Sequence, residues 1–150
     1  MQIRTEIEIE ASAGAVWRVL TDFARYGEWN PFIVAISGEL AKGARLSVRI
    51  SQPETNAERT FRARVLRCEP ERELAWLGHL WMRGLLDGEH FLRLEPGESR
   101  RTRVIHGLDL SGLLVRYALP SITRTTRGIV YMNQALKRRV EGSSPERRSA

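Results

Sequence analysis

Residues 15–32 read Ala15-Val16-Trp17-Arg18-Val19-Leu20-Thr21-Asp22-Phe23-Ala24-Arg25-Tyr26-Gly27-Glu28-Trp29-Asn30-Pro31-Phe32. Val16, Leu20 and Phe23 recur at i, i+4 and i+7 with Val19 beside them, which places an apolar stripe on one face of a helix. Ser12 is a side-chain cap for its start. Asn30-Pro31 breaks the chain after Trp29, so a helical segment over 12–29 gives way to an extended one. An amphipathic helix that ends in an aromatic turn and runs directly into a strand is the pattern around which the rest of the chain is organised.

Upstream, residues 2–10 alternate apolar and charged side chains, with Ile3, Ile7 and Ile9 prominent, and read as a first strand. Downstream, six more strands are expected at about 32–40, 44–51, 58–68, 73–80, 88–95 and 101–110, separated by short segments such as Lys42-Gly43, Glu69-Pro70-Glu71 and Pro96-Gly97-Glu98. Short strands joined by short turns predict an antiparallel meander. Phe61, Ala63 and Val65 alternate with Arg62 and Arg64, and His90, Leu92 and Leu94 alternate with Arg93 and Glu95. One sheet face is therefore expected to be apolar and concave, the other polar. A hairpin turning near Glu98 would set Leu94 opposite Thr102, Leu92 opposite Val104 and His90 opposite His106.

From Leu113 to Val140 the pattern is helical with a break at Pro120, because proline is tolerated only in a first turn. Beyond it Ile122, Thr126, Ile129, Asn133, Leu136 and Val140 share a face with Met132 adjacent, leaving Arg124, Arg127 and Arg138 to water. The segment from Gly142 is expected to end the helix and begin a disordered basic tail over 142–150.

The opening helix and turn resemble those of the helix-grip proteins of the SRPBCC superfamily. So do Glu73-Leu74-Ala75-Trp76-Leu77-Gly78, Asp87-Gly88-Glu89-His90-Phe91, Thr102-Arg103-Val104-Ile105-His106, Ser111-Gly112-Leu113-Leu114 and Tyr131-Met132-Asn133-Gln134-Ala135-Leu136-Lys137. The superfamily includes START lipid-transfer domains, birch-pollen-allergen-like carriers and small bacterial polyketide cyclase/dehydrase-like proteins. The resemblance implies an α+β fold over residues 1–141, in the order β-α-α-β6-α. A seven-stranded curved antiparallel sheet would wrap a long C-terminal helix, with a cavity for an apolar ligand between them. It also implies binding or carriage of a small hydrophobic, lipid-like or polyketide-like molecule without metal or cofactor. Its alternative is a cyclase or dehydratase acting on an apolar carbonyl compound. Fold alone does not choose between these.

With 150 residues the chain has room for one domain and not two. Its apolar fraction of 42% and charged fraction of 28% are those of an ordinary globular protein. The alternating N-terminus does not read as a signal peptide, and the most apolar later run, Leu108 to Leu119, is short and interrupted by Asp109 and Arg116. Cys68 is the single cysteine, which precludes an internal disulfide and suits a packed thiol. A cytoplasmic location is the expectation that follows. The net charge of +6 comes from the C-terminal part: 16 basic and 16 acidic residues precede Arg116, whereas 8 basic and 2 acidic residues lie from Arg116 onward. No aromatic residues are interleaved among Lys137, Arg138, Arg139, Arg147 and Arg148, so a solvated face is favoured over a specific nucleic-acid site. Peripheral membrane contact without a transmembrane segment, and a monomer or homodimer, are the expectations for its assembly and partners.

The chain lacks a Gly-rich phosphate loop, a dinucleotide fingerprint, zinc-type Cys/His spacing and a Gly-x-Ser-x-Gly elbow. His90 and His106 are the sharpest candidates for chemistry, since both sit among apolar neighbours on the inward phase of their strands. Three roles are open to them: a hydrogen-bonded structural pair, an anchor for a ligand carbonyl, hydroxyl or carboxylate, and, if the protein is an enzyme, an acid–base pair. His79 is expected to be peripheral. The lining of the implied cavity would comprise Trp29, Phe32, Phe61 and Trp76, the inward Val65, Leu92 and Leu108, and Ile129, Met132, Asn133 and Leu136 from the helix. Asn133 interrupts an apolar stripe, and a buried amide without partners costs about 1–3 kcal/mol. The loop Trp81-Met82-Arg83-Gly84-Leu85-Leu86 is unusually apolar, and would cover a cavity mouth, touch a membrane, meet another subunit or pack on the sheet.

Overall fold

The computed structural model describes residues 1–79 and 82–143. Seven strands form one antiparallel sheet: β1 (Gln2–Ile9), β2 (Ile33–Gly38), β3 (Arg45–Ser51), β4 (Glu58–Glu69), β5 (Glu73–His79), β6 (Asp87–Pro96) and β7 (Thr102–Ser111). Their spatial order is β1-β7-β6-β5-β4-β3-β2. The meander from β2 to β7 is closed by the first strand pairing with the last, so that β1 and β2 lie at opposite edges. Helices α1 (Ala13–Thr21) and α2 (Tyr26–Trp29), joined by a 3-10 turn over Phe23–Arg25, make the long crossing between those edges. Ser12 caps α1 by accepting the Ala15 amide at 3.2 Å. The long helix α3 (Leu119–Gly142) packs against β1, β7 and α1.

The aromatic turn is held by two buried polar side chains. Asn30 Oδ1 accepts the Phe32 and Ile33 amides at 3.0 and 2.8 Å, and the buried Tyr26 hydroxyl donates to the Leu20 carbonyl at 2.5 Å. Burial pushes the Tyr26 phenol well above its ordinary pKa. The turn delivers Phe32 onto α3, where Gly128 makes the contact possible: a Cβ there would fall 2.3 Å from the Phe32 ring.

The concave face carries one continuous core, from Ile3 and Ile9 through Val16 and Leu20, the strand residues Leu46, Val48, Val65, Leu74, Trp76, Leu92 and Val104, to Ile129, Met132, Leu136 and Val140 of α3. Three expectations need correction. The β6–β7 register is displaced by two residues: His90 faces Leu108 and Leu92 faces His106. The reason is the connection, a five-residue loop from Gly97 to Arg101 with Ser99 and Arg100 left-handed, closed by the Gly97 amide on the Arg101 carbonyl at 2.7 Å. A shift of two preserves the phase, so both histidines still face inward. The outer face is not wholly polar, because Ala75, Phe91 and Ile105 form a small buried cluster there. Gly107 leaves room for the Phe91 ring, and the Arg93 guanidinium lies 4.7 Å over it. Finally, Leu113 and Leu114 precede any helix; a 3-10 turn spans Val115–Ala118, and Pro120 sits in the first turn of α3, where its missing amide costs nothing.

Among the described residues no helix is long and apolar enough to cross a membrane. The expected tail begins within α3 at Gly142, and residues 144–150 lie outside the described residues.

Candidate functional site

Inward alternation on β6 and β7 places His90 and His106 diagonally across the ladder, with their rings 4.7 Å apart and their Nε2 atoms 2.6 Å apart. The α3 stripe brings Asn133 over them, its Oδ1 2.6 Å from His106 Nδ1. The other end of the amide, Nδ2, is 2.8 Å from the Thr5 hydroxyl, which in turn lies 2.8 Å from the His106 carbonyl oxygen. Trp76, directly opposite His90 on β5, stacks on its ring at 4.7 Å. The polar interruption in the helix face is thus explained: both polar atoms of the Asn133 amide find a partner, on β7 and β1, while Thr126 satisfies itself on the Ile122 carbonyl.

Both imidazoles are held neutral. Burial drives the His90 pKa well below its ordinary value, with the neighbouring His106 adding to the effect. Burial lowers His106 to about 4, against the opposing effect of its hydrogen bond to the Asn133 oxygen. The two rings differ in access. His106 has no exposed surface and both its nitrogens are bonded, whereas His90 keeps 8% of its surface and, among the described residues, its Nδ1 has no partner.

What lies beside His90 is an end of the grip made from backbone. The next inward positions on β5 and β6 are Gly78 and Gly88, paired with each other. The space above them is covered by half-buried side chains: the Phe61 ring lies 3.0 Å from a Cβ built on Gly78, and Leu108 and Leu110 lie 3.2 and 3.4 Å from one built on Gly88. The deeper half is different. Val65, Trp76, Leu92, His106, Ile129, Met132 and Leu136 each expose at most 1% of their surface, so they border no void of any extent large enough for water. They face the space between sheet and helix, where a cavity was expected, and they fill it.

The structure therefore gathers His90, His106, Asn133, Trp76, Leu92 and Leu108 into one neighbourhood and sets Phe61 at its rim. Trp29 is not among them: it is half-buried and stands edge-on to Tyr26, with ring centroids 5.1 Å apart. Phe32 is buried against Gly128 of α3. His79 is exposed at the end of β5, and the half-buried Cys68 thiol is pushed up by burial. Thr5, Gly78 and Gly88 are the participants that the sequence reading missed. Their signals were present: Thr5 is the one polar residue in the inward series Ile3, Thr5, Ile7, Ile9, and glycines within adjacent strands, here one residue from the strand ends, mark a close approach.

Other surfaces offer less. A recess of about 150 Å³ lined by Ala35, Ser47, Arg49 and Thr60 opens on the outer side of the sheet, away from the histidines. Among the described residues no three His, Cys, Asp or Glu side chains converge as a metal site would require. In the β5–β6 loop Trp81 lies outside the described residues; Met82 is exposed, Leu85 and Leu86 are half-buried. This loop is tied to the β7–α3 connection through Leu113 N on Gly84 O at 3.1 Å and Leu114 N on Leu85 O at 2.8 Å.

Several solved structures share this architecture. A START superfamily protein from Mycobacterium smegmatis is 18% identical, with 95% of this chain and 99% of that one covered at a TM-score of 0.76. The Zhui aromatase/cyclase from Streptomyces sp. R1128 is also 18% identical, covering 94% and 93% at 0.71. Protein MLL2253 from Mesorhizobium loti is 17% identical, covering 96% and 99% at 0.75. At such identities the likeness is one of fold. No functionally curated protein matches the chain. The family described as polyketide cyclase/dehydrase and lipid transport matches residues 1–141, and the chain belongs to that family.

Proposed function

We propose that the protein binds a small, largely apolar molecule at the end of the grip over Gly78 and Gly88, with the molecule's polar group against His90. The observation that carries this reading is the contrast within the histidine pair: one ring is sealed with both nitrogens bonded, while the other keeps 8% of its surface and, among the described residues, an unpartnered nitrogen beside a floor without side chains. Phe61, Leu108 and Leu110 would be the residues that swing aside or pack on the ligand. The family's association with lipid transport supports the apolar chemistry. Exposed Met82, Leu113, Tyr117 and Leu119 lie on the segments bordering the same end and would be the place for peripheral contact with a membrane or an apolar donor.

The family equally includes cyclases and dehydrases, and the site speaks against that role for this pair. His106 has no free nitrogen with which to reach a substrate. His90 keeps 8% of its surface, yet a buried imidazole whose pKa is well below its ordinary value is a weak general base, because its protonated product would be a buried charge. Binding requires no such charge. Titration with an apolar fluorophore, together with native mass spectrometry of freshly purified protein, tests the proposal. Saturable one-site binding that is lost in Leu108→Trp supports it; binding of equal strength in the properly folded variant sinks it.

A further inference from the structure

The hydrogen bonds that lead to His90 run in one direction, and that direction decides what His90 offers. The His106 carbonyl has no proton, so across the 2.8 Å contact the Thr5 hydroxyl donates to it. With its proton committed, the Thr5 oxygen can only accept, and the Asn133 group 2.8 Å away is its NH2. The amide oxygen is thereby turned to His106 Nδ1 at 2.6 Å, and since an oxygen can only accept, Nδ1 carries the His106 proton. A neutral imidazole has one proton, which leaves His106 Nε2 bare. It accepts from His90 Nε2–H across 2.6 Å. The single His90 proton is then spent as well, and His90 Nδ1 presents a lone pair. The burial that keeps both rings neutral maintains this arrangement. The reverse polarity would aim the Thr5 proton at Asn133 and leave the Thr5 and His106 oxygens 2.8 Å apart with no hydrogen between them.

We infer that the ligand's polar group is a hydrogen-bond donor, a hydroxyl, phenol or enol, and that aldehydes, ketones, ethers and ionised carboxylates are rejected at this position. The inference rests on the binding site proposed above and narrows its ligand class. Of the three ligand groups that the histidine pair could in principle serve, only the hydroxyl matches a bare nitrogen; carbonyl and carboxylate oxygens would oppose lone pair to lone pair. Thr5 is in this scheme a positioning residue. It never meets the ligand, and it sets the sense of the whole chain of bonds from the opposite side of His106.

The test compares three molecules of one skeleton, 2-naphthol, 2-methoxynaphthalene and 2-naphthaldehyde, by equilibrium binding to the wild-type protein and to His90→Phe. We expect 2-naphthol to bind at least about tenfold more tightly than either acceptor-only analogue, and the preference to vanish in His90→Phe. Equal affinities in the wild type, or a preference that survives in His90→Phe, would overturn the inference while leaving the binding site itself intact. If none of the three binds, the site proposal fails; the hydrogen-bond direction is then still decided by long-range ¹H–¹⁵N spectra of the labelled histidines. These should show His106 protonated on Nδ1 and His90 on Nε2, and the opposite pair of tautomers overturns the polarity. Thr5→Ser should preserve both tautomers, whereas Thr5→Val should scramble them; unchanged tautomers in Thr5→Val would remove Thr5 from the scheme.

Discussion

Two halves of the same concave face differ in what fills them. Around Leu92, His106, Met132 and Leu136 large side chains from sheet and helix interlock, and none exposes more than 1% of its surface. Around Gly78 and Gly88 the sheet presents backbone, and the covering residues Phe61, Leu108 and Leu110 are only half-buried. The polar chain from Thr5 to His90 joins the two, anchored in the closed half and ending beside the glycines. The contrast teaches that a long amphipathic helix laid in a curved sheet need not create a cavity along its length. Where both partners supply bulk the space closes, and where the sheet supplies glycine the side chains above it are only half-buried.

The largest effect expected from the closed half is a dependence of stability on pH. His106 titrates at about 4 when folded and near its ordinary 6.5 when unfolded. Between those values the unfolded chain holds more protons, so stability is full above pH 6.5 and is lost as the pH falls toward 4, by roughly 3 kcal/mol. His90, depressed in the same direction, steepens the loss. Urea unfolding across this window should show a slope that flattens in the double variant His90→Phe/His106→Phe; an unchanged slope would mean that the pair titrates normally.

A matched pair of substitutions divides the two halves. Met132→Trp overpacks the closed half and should lower stability by about 1–3 kcal/mol, with ligand affinity in the surviving folded protein unchanged. Leu108→Trp at the rim should do the reverse, abolishing binding with a cost of less than about 1 kcal/mol. Thermal melts and fluorophore titrations on both variants read the outcome, and a swapped result would relocate the site to Met132. Gly128→Ala brings a Cβ 2.3 Å from the Phe32 ring, and should cost about 2 kcal/mol even though alanine favours helix. Stabilisation instead would show that the turn carrying Phe32 yields easily. The smallest change is Gly78→Ala. Its Cβ would meet only the Phe61 ring at 3.0 Å, which can move, so stability should change by less than about 1 kcal/mol while affinity falls several-fold.

The strands, the α3 stripe and the inward phase of His90 and His106 were legible because alternation and helical period are properties of a few consecutive residues. Asn133 announced itself as a polar gap in an apolar face. The register did not, since it turned on whether the β6–β7 connection uses two left-handed residues at Ser99 and Arg100, which neither glycine nor asparagine flags. Phe91 on the outer face was hidden for a related reason: its burial depends on Gly107 of the neighbouring strand and on Arg93 reaching over the ring.

The chain by itself determined which residues look inward and in what order the elements follow, because side-chain direction is set locally by backbone geometry. Only the tertiary structure decided that Thr5, 101 residues from His106 in the chain, closes a hydrogen-bonded series with it, that the middle of the grip is solid, and that Gly78 and Gly88 pair beside His90. Those outcomes depend on volumes and distances between segments remote in sequence, and side-chain packing and proton placement are settled by all the neighbours at once.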